Sequence, residues 1–372
     1  MSKVLIIETD ENGIKDTIKE VFDFFSVDLK DKKVLIKPNM LGENKIETRS
    51  STSPLVLREV VKQVEKQTKN ITVGDCPMRL EARHGADAAG AVTGIHDAGL
   101  GYFKNIAKNV KMASIGSEII PTCPLPVDYL EADCVINVPI FKTHQLAGIT
   151  GCIKNMFGIV AGDYKPRTHS DSGHPKRLAQ FFVDIYSFKT PVLNIVDATY
   201  GMEGHGPNLG TPRQINKIIA GTNGVEVDAV IAFMQGYDPD KLKTLQLAAR
   251  QGLGKINVDE IDIVGNLEVL KDWKLPAPYT PGTPPPSPEE LEEIGLAWHE
   301  LGYTPPSLDE ERCNSCQECV ECCPTKAIEL DTYPVIDPDK CVSCFSCAEV
   351  CPESALFFPK ETAQRLYKVL FE

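Results

Sequence analysis

Residues 1 to about 270 alternate short apolar runs with amphipathic stretches. The apolar runs are rich in β-branched residues and mostly hydrophobic at consecutive positions, which is typical of strands buried on both faces of a sheet. They predict strands at Val4–Glu8, Val34–Lys37, Ile71–Gly74, Cys134–Val138, Val192–Val196, Ile215–Ala220 and Ile261–Val264.

Amphipathic helices are predicted between these strands. Pro54–Gln67 follows Ser53, a residue type that caps helix N-termini. Arg177–Phe188 and Asp240–Gln251 carry apolar residues at spacings of three and four. The alternation of strands and helices predicts an α/β fold built on a layered, mostly parallel sheet.

A proline-rich stretch separates this region from the end of the chain. Lys274–Pro288 contains seven prolines in 15 residues, which is typical of a semi-rigid extended linker. Ser287–Glu290 follows with an N-cap serine, a proline and a capping-box glutamate, so a short helix is predicted to about Leu301. We expect an α/β domain at 1–272, a linker with a short helix at 273–306, and a small α+β ferredoxin-like domain with a tail at 307–372.

Composition and charge exclude several classes of protein. The chain has 372 residues, of which 42% are hydrophobic and 24% charged, as in ordinary globular proteins. Its net charge of −13 argues against nucleic acid or an anionic membrane as a partner. The N-terminus reads as a strand rather than a signal peptide, and no apolar run approaches the ~18 residues of a membrane span, so we expect a cytoplasmic protein.

Nine of the 13 cysteines lie between Cys313 and Cys351. They form two runs of the same pattern, Cys-x2-Cys-x2-Cys-x3-Cys-Pro, and the second run follows the first by 28 residues. Such crowding in a chain without a secretion signal favours metal binding over disulfides. Structural zinc sites are the alternative, but they usually use separated pairs of cysteines.

The two runs resemble the bacterial two-cluster ferredoxins, in which each cluster takes three cysteines from one run and the fourth from the other. The resemblance implies one 4Fe-4S cluster held by Cys313, Cys316, Cys319 and Cys351. It implies a second 4Fe-4S cluster held by Cys341, Cys344, Cys347 and Cys323. Cys322 is left over, as a buried small side chain or a neighbour of a cluster.

Four polar segments follow predicted strands of the α/β region, where open α/β sheets bind ligands. They are Lys37–Asn39, Gly74–Pro77, Asn137–His144, and Asp197 with Gly201–Pro207. A helix predicted from about Gly148 would bring together, on one side, Gly151, Lys154, Asn155 and Gly158. The alternative is close packing of that helix on the sheet, with the lysine reaching out to water.

As an ordered set, these segments resemble the family called domain of unknown function 362, over roughly residues 30 to 230. Members of that family often carry a C-terminal ferredoxin unit. By position, the resemblance implies four candidate catalytic residues, Lys142, His144, Lys154 and Glu203. It implies candidate substrate- or cofactor-binding residues at Lys37, Asn39, Asp75, Thr143, Asn155 and His205.

The candidate residues also suggest a ligand. Converging lysines suit a small anion such as a carboxylate or phosphate, and His144 suits proton transfer. Plainer readings stay open, because Asn39 and Asp75 are common turn residues and Glu203 and His205 lie in a glycine-rich loop.

The fusion of the two regions predicts an iron–sulfur oxidoreductase. Its two 4Fe-4S clusters would pass single low-potential electrons between a reduced carrier and an anionic substrate or second cofactor in the α/β domain, where an unidentified third cofactor is left open. The carrier would be a ferredoxin- or flavodoxin-like protein with a basic docking surface, because residues 307–372 are acidic. The alternatives are a non-catalytic electron-carrier subunit or docking and ligand-sensing module, and a non-redox enzyme with structural or regulatory clusters.

Overall fold

The computed structural model describes residues 2–42, 45–77, 85–161, 164–165, 168, 172, 175–207, 210–276, 305–323, 325–341, 346–353 and 355–357. The strands in chain order are β1 (Lys3–Glu8), β2 (Val34–Pro38), β3 (Ile71–Val73), β4 (Val110–Ser114), β5 (Thr122–Pro126), β6 (Cys134–Val138), β7 (Ile140–His144), β8 (Gly148–Ile149), β9 (Leu193–Glu203), β10 (Thr211–Gly221), β11 (Asp262–Val264), β12 (Ser307–Leu308), β13 (Ile328–Leu330), β14 (Pro334–Ile336) and β15 (Leu356–Phe357).

The helices of these residues are α1 (Ile14–Phe25), α2 (Pro54–Glu65), α3 (Ala86–Val92), α4 (Ile95–Ala98), α5 (Val127–Glu131), α6 (Gly151–Phe157), α7 (Pro175–Phe188), α8 (Gly224–Met234), α9 (Lys243–Arg250), α10 (Glu318–Cys322) and α11 (Ser346–Val350). Short 3₁₀ turns lie at Ile46–Thr48, Ile106–Lys108, Pro239–Lys241 and Val258–Glu260. None of the helices in the described ranges is long and apolar enough to cross a membrane.

One large, mostly parallel sheet organises the α/β region. Its strand order is β11-β1-β10-β9-β6-β2-β3, and β7 pairs with both β9 and β8. The pairs β2–β3, β2–β6, β6–β9, β7–β9 and β1–β11 are parallel, whereas β10 runs antiparallel to its neighbours β1 and β9. The carboxyl ends of β2, β3 and β6 therefore lie at one edge of the sheet.

Helices cover both faces of this sheet. Along β2, Leu35 packs into the hydrophobic core on one face, and its neighbours Val34 and Ile36 pack into the core on the other, as strand alternation requires. Helices α1 and α2 contribute to the second core, while α6, α7 and α8 contribute to the first. The result is the three-layered α/β arrangement expected from the sequence.

The predicted strands and helices are present with shifted ends. Helix α2 begins at Pro54 as predicted, and the Ser53 side chain accepts a hydrogen bond from the Leu55 backbone N–H at 3.3 Å. The stretch predicted as one helix at Asp240–Gln251 is a 3₁₀ turn followed by α9. The linker beyond Pro276, the helix predicted to about Leu301, and Cys344 lie outside the described residues.

The helix predicted from Gly148 begins three residues later. Gly148 and Ile149 instead form β8, which pairs antiparallel with the end of β7. Helix α6 then begins at Gly151, whose φ of 51° and contact with Asp228 leave no room for a side chain, since a β carbon would lie 2.5 Å from Oδ1. Asp228 fixes this start by accepting hydrogen bonds from the N–H groups of Cys152 and Ile153.

The C-terminal region consists of two similar halves. Helix α10 lies in the first cysteine run and α11 in the second, and β13 and β14 form a hairpin between them. Strands β12 and β15 pair antiparallel, which joins the beginning of the region to its end.

Candidate functional site

An open cavity of about 60 Å³ lies at the edge where β2 and β3 end. We call it the lysine pocket, and its lining consists of Asn39, Met40, Leu41, Asp75, Cys76, Pro77, Lys142, His144, Thr150, Lys154, Asn155, Phe157, Gly158, Lys165, Pro207 and Glu349.

A buried ion pair forms the floor of the lysine pocket. The Lys37 side chain is fully buried, and its Nζ lies 2.8 Å from Asp75 Oδ1. Asp75 also accepts hydrogen bonds from the backbone N–H groups of Met40 and Cys76, at 2.9 and 2.8 Å. Gly158 packs directly on the pair, because a β carbon there would lie 2.7 Å from Lys37 Nζ. The two opposite charges neutralise each other, and the contacts of the pair fix the loops that follow β2 and β3.

A chain of buried side-chain amides connects this floor to the sheet. Asn155 accepts hydrogen bonds from Asn39 Nδ2 at 2.8 Å and from Lys37 Nζ at 3.3 Å. Its own amide N–H donates to Asn137 Oδ1 at 2.7 Å, and Asn137 in turn donates to Asn194 at 2.9 Å. This network determines the orientation of each amide, so Asn39 and Asn155 act by positioning their neighbours.

Lys142 is buried, and among the described residues no carboxylate lies within ion-pair distance of its Nζ, although Glu349 and Asp75 attract it from farther away. Its Nζ donates to Asn39 Oδ1 at 3.0 Å and to the Ser50 carbonyl at 2.6 Å. Burial, followed by repulsion from Lys154, lowers the pKa of Lys142 to about 7. The charge of this side chain therefore changes near neutral pH.

Lys154 presents a second ammonium group to the lysine pocket. Its Nζ lies 5.4 Å from the ring centre of Phe157 and 5.0 Å from that of Phe182. None of the described residues offers its ammonium a hydrogen-bond acceptor or an ion-pair partner within contact distance, and burial lowers the pKa of Lys154. The Glu349 carboxylate opposes the effect of burial on the pKa of Lys154 from beyond contact distance, and a bound anion would supply a direct partner.

His144 ends β7 with its ring buried against the lysine pocket. Its Nδ1 accepts hydrogen bonds from the N–H groups of Leu146 and Ala147, at 3.1 and 3.2 Å. An accepting Nδ1 places the proton of the neutral ring on Nε2. Burial and the charge of Lys154 lower the pKa of His144 to about 4, so the ring is neutral at physiological pH.

Glu349 connects the cysteine-rich region to the lysine pocket. It lies in α11 between Cys347 and Cys351, yet it lines the pocket of the α/β region. Its Oε1 lies 3.3 Å from His144 Nε2, and the Glu349 side chain is only 9% exposed. The helix that carries predicted cluster ligands thus contacts the lysine pocket directly.

Four of the predicted cluster ligands surround one cavity. Its lining includes Cys313, Cys316, Cys319 and Cys351. The backbone N–H groups of Ala327 and Ala355 donate to Cys323 Sγ and Cys351 Sγ, both at 3.2 Å, which gives the two runs matching contacts. In the described part of the chain no three His, Cys, Asp or Glu side chains are placed to hold a single ion. Four sulfur donors around one space fit a 4Fe-4S cluster.

A family model for a domain of unknown function, DUF362, matches residues 34–233 of this chain. The chain belongs to the DUF362 family. A model of a 4Fe-4S dicluster domain matches residues 312–355, so the DUF362 region is followed by an iron–sulfur domain, as the two resemblances implied. The protein is also similar to the thylakoid-associated protein sll1697 of Synechocystis sp., at 28% identity over 257 residues that cover 67% of this chain and 78% of that protein.

Four of the predicted site residues do not line the lysine pocket of this DUF362 protein: Lys37, which pairs with Asp75 beneath it, and Thr143, Glu203 and His205, which lie elsewhere. The Thr143 hydroxyl donates to the carbonyl groups of Met202 and Gly204, at 3.2 and 2.8 Å, and so holds β7 against β9. Glu203 pairs with Arg213 at 3.0 Å, and it lines a different cavity together with His205, whose pKa burial lowers.

The lysine pocket also contains residues that the sequence did not predict. Lys165 is buried and donates to the Cys76 carbonyl, and burial lowers the pKa of Lys165 to about 8. No local pattern marks Lys165. Asn137 begins one of the four predicted ligand segments, and it supports the pocket through Asn155 without lining it. Glu349 is the acidic residue between two predicted cluster cysteines, but that pattern does not indicate the pocket.

Proposed function

We propose that this DUF362 protein is an iron–sulfur oxidoreductase that binds a small anion, as substrate or second cofactor, in the lysine pocket and couples it to the dicluster domain. The observation that carries the proposal is Glu349, which lies two residues from Cys347 and from Cys351 and lines the pocket beside His144. Bound 4Fe-4S clusters would supply single electrons. A short path from a cluster to the lysine pocket favours electron transfer to a ligand bound there.

The chain's own residues bind and position the anion. The buried Lys142 and the partly buried Lys154 supply positive charge, and charge-assisted hydrogen bonds are strong where water is largely excluded. His144 holds a proton on Nε2, at the point where Glu349 meets the pocket. The Lys37–Asp75 ion pair and Asn155 form the floor of the pocket and hold these side chains in position.

The electron donor or acceptor is proposed to be a ferredoxin- or flavodoxin-like protein. The acidic balance of residues 307–372 favours a basic docking surface on that partner. The cytoplasmic location stays a prediction, and the thylakoid association belongs to the named relative.

Native mass spectrometry of anaerobically purified protein, with iron and zinc determined on the same sample, tests the proposal as a whole. The expected result is two 4Fe-4S clusters and a further bound anion in the α/β region. Zinc in place of iron would overturn the iron–sulfur assignment, and intact clusters with no affinity for phosphate or succinate would overturn the assignment of the pocket.

Lys154→Met is expected to weaken binding of phosphate or succinate by about tenfold to a hundredfold, since a charge-assisted contact of roughly 1.5–3 kcal/mol is lost. Isothermal titration calorimetry measures the affinity, and the visible spectrum measures cluster content. Lys217→Met is the matched control, because Lys217 is a buried lysine that pairs with Glu8 and Glu268 outside the pocket. Unchanged affinity, or loss of the clusters, would show that Lys154 has another role.

Anion affinity is expected to fall as pH rises through about 7. Lys142 loses its proton in this range because its pKa is lowered to about 7, and Lys165, at about 8, extends the fall. Each deprotonation removes a positive charge from the pocket, so the direction is weaker binding at higher pH. Titration calorimetry between about pH 6 and 9 measures the slope, and Lys142→Arg, which stays charged, should flatten it near pH 7. An affinity for succinate that does not change with pH would contradict this assignment.

A further inference from the structure

Positive and negative charges are not balanced around the lysine pocket. Among the described residues, its lining carries three lysines and two carboxylates, namely Lys142, Lys154, Lys165, Asp75 and Glu349. The carboxylate of Asp75 is already paired with Lys37 at 2.8 Å, so that ion pair adds no net charge. Three ammonium groups are thus opposed by one carboxylate, and the pocket has an excess of two positive charges when all three lysines are protonated.

Burial makes this excess of charge unfavourable. Burial is the main cause that lowers the pKa of Lys142 to about 7 and that of Lys165 to about 8, and repulsion from Lys154 adds to both shifts. The charge of Lys142 acts across the pocket although its ammonium already donates to Asn39 and to the Ser50 carbonyl, because Coulomb forces do not need contact. An anion among the three lysines would stabilise their protonated forms.

The volume of the lysine pocket limits the size of that anion. The cavity measures about 60 Å³. A water molecule needs roughly 10–15 Å³ of such space, so the pocket has room for about four to six groups of that size. A ligand that places two negative charges inside this space must be compact.

We propose that the lysine pocket selects a compact dianion over a monoanion of the same shape. This inference rests on the anion-binding function proposed above, and it adds the charge and the size of the ligand. A dianion balances the excess of two positive charges, whereas a monoanion leaves one of them uncompensated where water is largely excluded. Tetrahedral oxyanions, such as sulfate, and the two-carbon dicarboxylate oxalate both have this chemistry.

Two pairs of anions that match in shape and differ by one charge test the selection. Sulfate and perchlorate are both tetrahedral, and oxalate and oxamate have the same number of non-hydrogen atoms. Titration calorimetry of the holoprotein at about pH 6 measures the four affinities, because Lys142 and Lys165 are protonated below their pKa values of about 7 and about 8.

The dianion of at least one pair is expected to bind at least about tenfold more tightly than its monoanion. A preference confined to the sulfate pair would assign the site to an oxyanion, and one confined to the oxalate pair would assign it to a dicarboxylate. A preference in both pairs would show that charge decides the selection.

Lys165→Met and Glu349→Gln change the charge of the pocket in opposite directions. Lys165→Met should reduce the ratio of dianion to monoanion affinity, and because both affinities are measured on the same protein, the ratio does not depend on the fraction of protein that is folded. Glu349→Gln removes the opposing carboxylate, so it should strengthen dianion binding severalfold.

Glu321→Gln is the matched control for Glu349→Gln. Glu321 occupies the corresponding position of the first cysteine run, but it is exposed and does not line the lysine pocket. Its variant should bind the dianion as the wild type does, and the visible spectrum checks that both variants keep their clusters.

The results separate this inference from the function on which it rests. If perchlorate binds as tightly as sulfate and oxamate as tightly as oxalate, the pocket binds anions without selecting their charge, and the inference is wrong although the anion site stands. Weaker dianion binding in Glu349→Gln with intact clusters would also overturn it. If none of the four anions binds at millimolar concentration, the anion site and the inference are both wrong.

Discussion

Cys351→Ala is expected to abolish the cluster whose other ligands lie in the first cysteine run. Cys351 belongs to the second run, but in the structure it lines the same cavity as Cys313, Cys316 and Cys319. Since a 4Fe-4S cluster in such a domain is held by four thiolates, loss of one should remove the cluster, and about half of the iron with it. Iron analysis and electron paramagnetic resonance of the reduced protein measure the loss.

Comparing the residual spectra of the variants tests whether each cluster takes its ligands from both cysteine runs. Cys313→Ala should leave the same residual spectrum as Cys351→Ala, whereas Cys347→Ala should leave the spectrum of the other cluster. Cys322→Ala is the control, since the family pattern gives this cysteine no iron, and both clusters should persist. If Cys351→Ala matched Cys347→Ala instead, each cluster would be held within one run and the crossed assignment would be wrong.

Apolar runs predicted the central strands well because these strands are buried on both faces. The observed β2 differs from its prediction by one residue, and β6 agrees at both ends. The prediction for β9 ended at Val196, because the pattern turns polar there, although the strand continues to Glu203. Asp197 is buried and accepts hydrogen bonds from Ser53 and Thr199, so its polarity is satisfied inside the fold and does not mark a strand end.

The position of a polar residue directly after a strand predicted part of the lysine pocket. Asn39 and Asp75 lie there because β2 and β3 are parallel neighbours. Position after a strand did not predict the place of Thr143 correctly. Thr143 follows Lys142, so its side chain points to the opposite face of β7, where its hydroxyl donates to the Gly204 carbonyl. Glu349 could not be placed at all, since its contact with His144 depends on how two distant regions of the chain pack together.

Asp75→Asn is expected to destabilise the α/β region by about 3–5 kcal/mol, because it leaves the Lys37 ammonium buried without its counter-charge. The Lys37 side chain is fully buried and Asp75 is almost so, which leaves water no access to replace the carboxylate. Urea unfolding followed by far-ultraviolet circular dichroism measures the change, on samples matched in cluster content. A loss below about 1 kcal/mol would show that the pair behaves as an exposed ion pair.

The double variant Lys37→Met with Asp75→Asn distinguishes two effects on the free energy of unfolding: the destabilisation caused by an unpaired buried charge, and the stability that the ion pair itself contributes. The double variant removes the buried ammonium, but its amide keeps only one of the two oxygens that accept from the Met40 and Cys76 N–H groups, so it should recover part of the stability lost in Asp75→Asn. Phosphate binding should stay weak, since Lys37 no longer orients Asn155. Stability restored without binding would mean that the pair serves to position the pocket, whereas restored binding would make it a structural feature of the fold.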